Sequence, residues 1–144
     1  MASFVKFYDF VHQLALGTHH FESGVGGGTF KVYLTASTPS VGTHTKKGQG
    51  GGAELADITN EHGYAPADIQ NDESATGGTS TITAVDVTFT ATNGSFGPFR
   101  YIVIYNDTAT DDNLVGYADY ASSITVLDGE TFTVNFGASL MTIT

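Results

Sequence analysis

The alternation of apolar and polar positions along the chain predicts a series of β-strands. The longest apolar run, residues 99–105, is rich in β-branched and aromatic side chains and fits a strand buried on both faces. Residues 114–120 alternate, and the connector 106–113 is rich in Asp, Asn and Thr, which favour turns. This pattern predicts an antiparallel hairpin in the middle of a sheet. The hairpin residues expected in the core are Phe99, Tyr101, Ile102, Val103, Ile104 and Tyr105.

Shorter alternating runs surround this hairpin. Residues 29–36 predict a half-buried strand before it, with Phe30, Val32 and Leu34 on one face. An Asp-Gly pair at 128–129 separates two alternating runs and predicts a hairpin between residues 122–127 and 130–136. Other strands are predicted at residues 80–84, 86–91 and 140–143. About eight strands with turns roughly every 8–12 residues favour an antiparallel two-sheet sandwich or jelly roll.

The N-terminal stretch has a helical rather than a strand-like pattern. Apolar residues recur at three- and four-residue spacing over residues 3–16, Ser3 can cap the helix, and Gly17 can end it. We therefore divide a single domain, residues 1–144, into an N-terminal helix or arm (1–17) and a β core (18–144). The apolar stripe either plugs one end of the sandwich or docks on a neighbouring subunit. Its members are Phe4, Phe7, Tyr8, Val11, Leu14 and Ala15.

Two polar segments interrupt the predicted strands. Residues 37–52 form a long Gly-, Ser- and Thr-rich stretch that carries Lys46 and Lys47, and loops of this length are usually functional or mobile. Residues 54–58 predict one helical turn, and residues 68–78 predict a polar loop.

Composition and charge exclude several classes of function. Five Lys and Arg against 15 Asp and Glu give a net charge of −10, too few cations for nucleic acid or an anionic membrane surface. The absence of Cys excludes disulfides and thiolate sites. The N-terminus has no basic region followed by an apolar run, and no apolar segment reaches roughly the 18 residues of a membrane span. We expect neither a signal peptide nor a membrane span, and synthesis in a cytoplasm.

Residue patterns for catalysis or metal binding are absent from the sequence. None of the five His residues forms a pair at ligand spacing with a carboxylate, and the neighbours His19 and His20 would point to opposite faces of a strand. The acidic group Asp107, Asp111, Asp112 and Asp119 lacks the spacing of a calcium loop and fits a solvated turn. No nucleophile or nucleotide motif occurs. The sequence predicts no enzyme, no catalytic residue, no metal site and no cofactor.

Three consecutive segments, residues 97–108, 114–120 and 122–136, resemble small β-rich virion proteins of tailed bacteriophages. The helical start, the strand at 30–35, the long loop and residues 60–64 are similar in the same order, so the resemblance covers most of the chain. Several proteins of this kind are capsid cement or decoration proteins, typically trimers on the outer shell where capsomers meet. The resemblance thus implies a homotrimer on the capsid exterior that binds the major capsid protein. The contact residues expected are Phe4, Phe7, Tyr8, Val11, Lys46 and Lys47.

Two other functions remain open from the sequence. A tail or fibre component could bind a host receptor or cell-surface sugar through the aromatic residues Tyr33, Tyr64 and Tyr117, which we expect to be exposed. An intracellular β-sandwich enzyme or ligand carrier would need a pocket with convergent polar groups.

Overall fold

The computed structural model of the protein describes residues 3–144. The chain is 45% strand and 6% helical, which confirms the mainly β class with one short helix. The described residues form twelve strands rather than about eight, because several polar segments also pair. The strands are β1 (Phe4–Lys6), β2 (Phe30–Thr35), β3 (Lys46–Gly48), β4 (Glu54–Ala56), β5 (Ala67–Asp68), β6 (Asp72–Thr76), β7 (Thr79–Thr83), β8 (Val87–Thr90), β9 (Phe96–Asn106), β10 (Leu114–Val126), β11 (Thr131–Val134) and β12 (Met141–Ile143), and the helix is α1 (Tyr8–Ala15).

A five-stranded antiparallel sheet in the order β1–β10–β9–β2–β5 forms the centre of the molecule. The predicted hairpin is confirmed: Tyr105 pairs with Leu114, and Val103 pairs with Tyr117. Strand β10 continues to Val126 instead of ending at residue 120, with a register shift between Asp119 and Ile124. The six predicted core residues of β9 are all buried.

Strand β2 is buried on both faces, so the prediction of a half-buried strand is wrong. One face of β2 joins the main core, while Tyr33 on the other face is fully buried. Tyr33 belongs to a second cluster with Phe7 from the N-terminal segment and Leu55 from β4. The segment that contains Leu55 therefore packs over this face of the sheet. The hydroxyl of Tyr33 donates a hydrogen bond of 3.1 Å to the carbonyl oxygen of Leu55.

The remaining strands form smaller sheets around the main core. Strands β12, β7 and β6 make a three-stranded antiparallel sheet, and β11 pairs with β8. The predicted hairpin around the Asp-Gly turn is wrong: the turn exists, with Gly129 at φ 84°, but Phe132 pairs with Phe89 while β10 stays on β9. A tight turn reverses the direction of the chain, but it does not determine which strand the following residues pair with. Packing of Phe132 and Val134 into the main core then selects β8.

Two segments that were predicted to be a helical turn and a polar loop also contain strands. Residues 54–58 begin with β4, not a helical turn, because β4 pairs in parallel with β3. Residues 68–78 contain β6, which pairs with β7 through a two-residue turn at Gly77 and Gly78. Both glycines have positive φ, which suits a tight hairpin of this kind.

The N-terminal helix is shorter than predicted, and Ser3 does not cap it. Residues 4–6 form β1 on the edge of β10, and Phe7 takes an extended conformation at the N-cap of α1. Gly116 permits this docking, since a Cβ there would lie 2.4 Å from the Phe4 ring and 2.8 Å from the Val5 carbonyl oxygen. Pairing with a sheet edge therefore overrides the helical spacing of Phe4. The predicted end of the helix is confirmed, with Gly17 at φ 78°.

Candidate functional site

Helix α1 has an apolar face on each side. Phe10 points inward and is buried, as is Phe7 just before the helix. Outward, Tyr8 is 69% exposed and Val11 50% exposed, and Leu16 directly after the helix is 65% exposed. Half or more of each of these three side chains is thus exposed. We call Tyr8, Val11 and Leu16 the outer helix face.

A groove adjoins the outer helix face, and Val11 belongs to both. The groove has a volume of about 580 Å³ and lies among α1, β1 and β12. Its apolar lining consists of Phe4, Phe10, Val11, Leu14, Met141 and Ile143. Strands β1 and β12 are each the outermost strand of their sheets, so the groove lies beside unpaired strand edges. Apolar side chains and free backbone groups occur together here, as at surfaces that bind proteins.

The helix is fixed to the core by hydrogen bonds as well as by packing. The Tyr8 amide donates to the Val41 carbonyl oxygen at 3.0 Å, and the Phe7 amide donates to that of Val115 at 3.1 Å. Asp9 accepts a hydrogen bond of 3.2 Å from the side chain of Asn113. The outer helix face is therefore presented on a rigid support.

Lys47, predicted to be a contact residue, is held inside the fold. Its ammonium lies 3.4 Å from a carboxylate oxygen of Asp57, and 5.5 and 5.6 Å from the ring centroids of Tyr33 and Tyr105. The side chains of Lys47 and Asp57 are only 19% and 9% exposed. The Tyr64 hydroxyl also donates to Asp57. These groups, the Lys47 cluster, pin residues 46–57 onto the sheet.

Burial sets the protonation behaviour of the Lys47 cluster. Desolvation raises the pKa of the Asp57 carboxyl, and the Tyr64 hydrogen bond and the Lys47 charge lower it in part. Burial also raises the pKa of the Tyr33 and Tyr64 hydroxyls, and the negative charge of Asp57 adds to the increase. Both phenols therefore stay neutral, and Tyr64 acts as a donor to Asp57.

The other predicted contact residues are divided between core and surface. Phe7 is fully buried, whereas Phe4 is partly buried against the main core and lines the groove. Lys46 is 38% exposed and lies 4.0 Å from Glu54. Tyr8 and Val11 remain available. Sequence reasoning missed Leu16, Met141 and Ile143; the position of Leu16 off the helical stripe was the signal that could have indicated it.

The aromatic residues proposed to stack on sugars are not exposed as required. Tyr33 is 0% exposed and Tyr64 is 2% exposed, so the sequence-based prediction is wrong for both. Tyr117 is partly buried, with ring centroids 5.6 Å from Phe7 and 6.1 Å from Tyr101. Tyrosine is found on both faces of strands. Whether a given tyrosine is buried depends on which other segments of the chain pack over that face.

The histidine and aspartate residues do not assemble a metal centre in residues 3–144: no group of three or more potential ligands is arranged to hold an ion. Asp107 pairs with Lys31 at 2.8 Å. Asp119 lies within β10, away from the central turn, and makes two hydrogen bonds to Arg100 at 2.8 and 2.9 Å. Asp107 and Asp119 thus serve separate local contacts.

No family model, curated protein or solved structure matches this chain. In the part of the chain that the structure describes, no helix has the length and apolar character needed to cross a lipid bilayer.

Proposed function

We propose that the protein is a structural component of a phage virion, a capsid cement protein that binds the major capsid protein on the outer shell. The observation that carries the proposal is the outer helix face, an exposed apolar surface continuous with an apolar groove. Exposed apolar patches of this kind mark interaction sites. The resemblance of residues 97–136 to phage virion proteins supplies the class of partner.

The β scaffold supports this role. Several antiparallel sheets pack around one main core, which we interpret as a sandwich-like arrangement, and the helix is anchored on it by Phe7 and Phe10. A cement protein stabilises a shell by adding an interface that assembled capsomers offer and free ones do not, which shifts assembly by mass action. A homotrimer at sites where capsomers meet fits this mode of action.

The structure changes which residues we assign to the capsid contact. Lys47 is engaged by Asp57, and Phe7 is in the core. We therefore assign the contact to Tyr8, Val11 and Leu16 with the adjoining groove. Deleting residues before Thr18 would be a poor test, because the deletion also removes Phe7 and Phe10 from their clusters.

The test is binding to capsids that lack the protein. Variants Tyr8→Ser and Val11→Ser should each weaken co-sedimentation with such capsids at least about tenfold, and the double variant about 100-fold, since burying an apolar side chain is worth about 1.5–3 kcal/mol. The matched controls are Val85→Ser and Leu127→Ser, which change exposed apolar residues, 50% and 56% exposed, elsewhere on the surface. Unchanged binding of the double variant would reject the outer helix face.

The number of copies per virion distinguishes a capsid protein from a tail or fibre component. Copies comparable to those of the major capsid protein in purified virions would support a shell-covering cement. A few copies per particle would instead support a tail or fibre component, and absence from the particle would reject both virion assignments.

A further inference from the structure

His19 lies beneath the outer helix face in an aromatic environment. Its side chain is buried, and its ring is stacked on Phe10 of α1 with centroids 5.4 Å apart. Phe21 and Phe30 lie at 6.1 and 5.7 Å on other sides of the ring. Within residues 3–144, His19 Nε2 has no hydrogen-bond partner. The imidazole therefore joins α1 to the β core through the faces and edges of its ring.

Asn106 dictates which nitrogen of His19 carries the proton. The Asn106 side-chain oxygen accepts hydrogen bonds from the backbone amides of Thr108 and Ala109, at 3.1 and 3.2 Å. The Asn106 amide nitrogen therefore faces the Thr18 carbonyl oxygen, at 2.9 Å, and His19 Nδ1, at 3.2 Å. Because that nitrogen is a donor only, Nδ1 must accept and Nε2 carries the hydrogen.

This arrangement stabilises the neutral form of His19 and destabilises the protonated form. A proton on Nδ1 would point at the Asn106 amide hydrogens, two donors facing each other. The Asn106 amide cannot rotate without releasing Thr108 and Ala109. Burial accordingly lowers the pKa of His19 to about 4, and the charge of Asp9 opposes this shift only in part.

The neighbouring charged groups do not neutralise a protonated His19. Asp9 on α1 is hydrogen-bonded to the side chains of Gln13 and Asn113. His20 and Glu22 pair with each other at 3.3 Å and are both more than half exposed. The Glu73 carboxylate, across a cavity of about 200 Å³, accepts a hydrogen bond from Ser80.

Two more histidines lie in or beside α1: His12 belongs to the helix itself, and His44 belongs to a segment that touches it. His44 Nδ1 accepts a hydrogen bond of 2.9 Å from the Ser40 amide, in the loop that contacts Tyr8. Burial also lowers the pKa of His44. His44 therefore needs its own control.

We propose that His19 is an acid-sensitive switch that holds α1 on the β core at neutral pH and releases it in mildly acidic solution. Expulsion of the charged ring separates Phe10 from its stacking partner, so α1 and the outer helix face lose their support. Control of capsid binding by this switch rests on the proposed function; the release of α1 does not.

The sign and size of the effect follow from proton linkage. The pKa of His19 is 6.5 when unfolded and about 4 when folded, so protons bind preferentially to the open form at acidic pH. The opening equilibrium is unchanged above about pH 6.5 and rises about tenfold per pH unit below it, by about 100-fold at pH 4.5. The carboxylates with lowered pKa, Asp72 and Asp119, lose their stabilising charge only below 3.8, outside this window.

The experiment is hydrogen exchange of the isolated protein between pH 7.5 and 4.5, corrected for intrinsic exchange rates. Amides of α1 should lose about 100-fold of their protection at pH 4.5, while those of β2 and β9 keep theirs. His19→Gln, which is neutral at every pH, should abolish the loss. His12→Gln, His20→Gln and His44→Gln are the matched controls and should behave like the natural protein. Equal acid sensitivity in His19→Gln would overturn the proposal.

A second measurement covers the case in which His19→Gln does not fold. NMR titration of the unmodified protein should show the His19 ring signals unchanged down to about pH 5, then lost together with those of α1. Titration of His19 near pH 6.5 with α1 intact would also overturn the proposal. Capsid release near pH 4.5 that His19→Gln prevents would extend the switch to the bound protein. Failure of the protein to bind capsids at any pH would reject the proposed function alone.

Discussion

Two adjacent lysines offer a sharp test of the fold, since Lys46 and Lys47 look equivalent in the sequence and differ in the structure. The substitution Lys47→Met keeps the length of the side chain and removes its charge. It leaves the Asp57 carboxylate 9% exposed with no cation beside it. Lys46→Met removes a charge that is 38% exposed and 4.0 Å from Glu54. The two variants have the same composition and differ only in site.

The expected cost follows from the geometry. At an effective dielectric constant of about 20, charges 3.4 Å apart attract by roughly 5 kcal/mol, and desolvation offsets part of this. Breaking a buried pair by removing one partner costs about 3–5 kcal/mol. Because the Lys47 side chain keeps 19% exposure, we expect the lower end, about 3 kcal/mol. Lys46→Met should cost less than about 1 kcal/mol, as for other surface pairs.

Urea unfolding at pH 7, followed by tyrosine fluorescence, measures both variants. The deficit of Lys47→Met should shrink as the pH falls toward 4, because burial raises the pKa of Asp57 above its ordinary 3.8 and protonation removes the unpaired charge. The double variant Lys47→Met/Asp57→Asn should recover most of the lost stability. A cost for Lys47→Met no larger than that for Lys46→Met would refute the Lys47 cluster as a stabilising contact.

Three further substitutions test other contacts. Gly116→Ala should lower stability by about 1–3 kcal/mol through overpacking against β1, and hydrogen exchange should show β1 opening; adding Phe4→Ala should relieve part of the cost. Ala121→Gly should raise the free energy of unfolding by up to about 1 kcal/mol, because Ala121 has φ 69°; no gain in urea unfolding would count against that conformation. Tyr64→Phe should cost about 1–3 kcal/mol, because it removes the hydroxyl that donates to Asp57 and accepts from the Leu34 amide; no loss of stability in urea unfolding would count against these two contacts.

The strands that the sequence predicts best are those with a clear apolar period. Residues 99–105 carry enough apolar side chains to require burial on both faces, and β9 is buried on both faces. Strand β6, at residues 72–76, has no such signal, because its residues are largely exposed and its pairing depends on the Gly77–Gly78 turn. The local pattern of apolar residues therefore predicts a strand that is stabilised by burial, and it misses a strand that is held mainly by backbone pairing.

The candidate site was harder to predict than the strands. Helical spacing correctly placed Tyr8 and Val11 on a helix, but it put Phe7 on the same stripe, although the entry of the chain from β1 turns Phe7 into the second cluster. The buried position of Lys47 could not be predicted from the sequence for a similar reason. Its partners Tyr33, Asp57 and Tyr105 come from separate parts of the chain and meet only after the segment 37–57 folds over the sheet.

The position of β1 has a consequence for how the chain folds during synthesis. Residues 4–6 leave the ribosome long before their partners, residues 116–118. The central sheet therefore cannot be completed until most of the chain is available, although the β9–β10 hairpin can form by itself earlier. Pairings between residues this far apart close slowly, and residues 4–6 stay unpaired until residues 116–118 have been made. Docking of β1 is accordingly a late step, and fusions to the N-terminus should slow the final stage of folding more than the formation of the core hairpin.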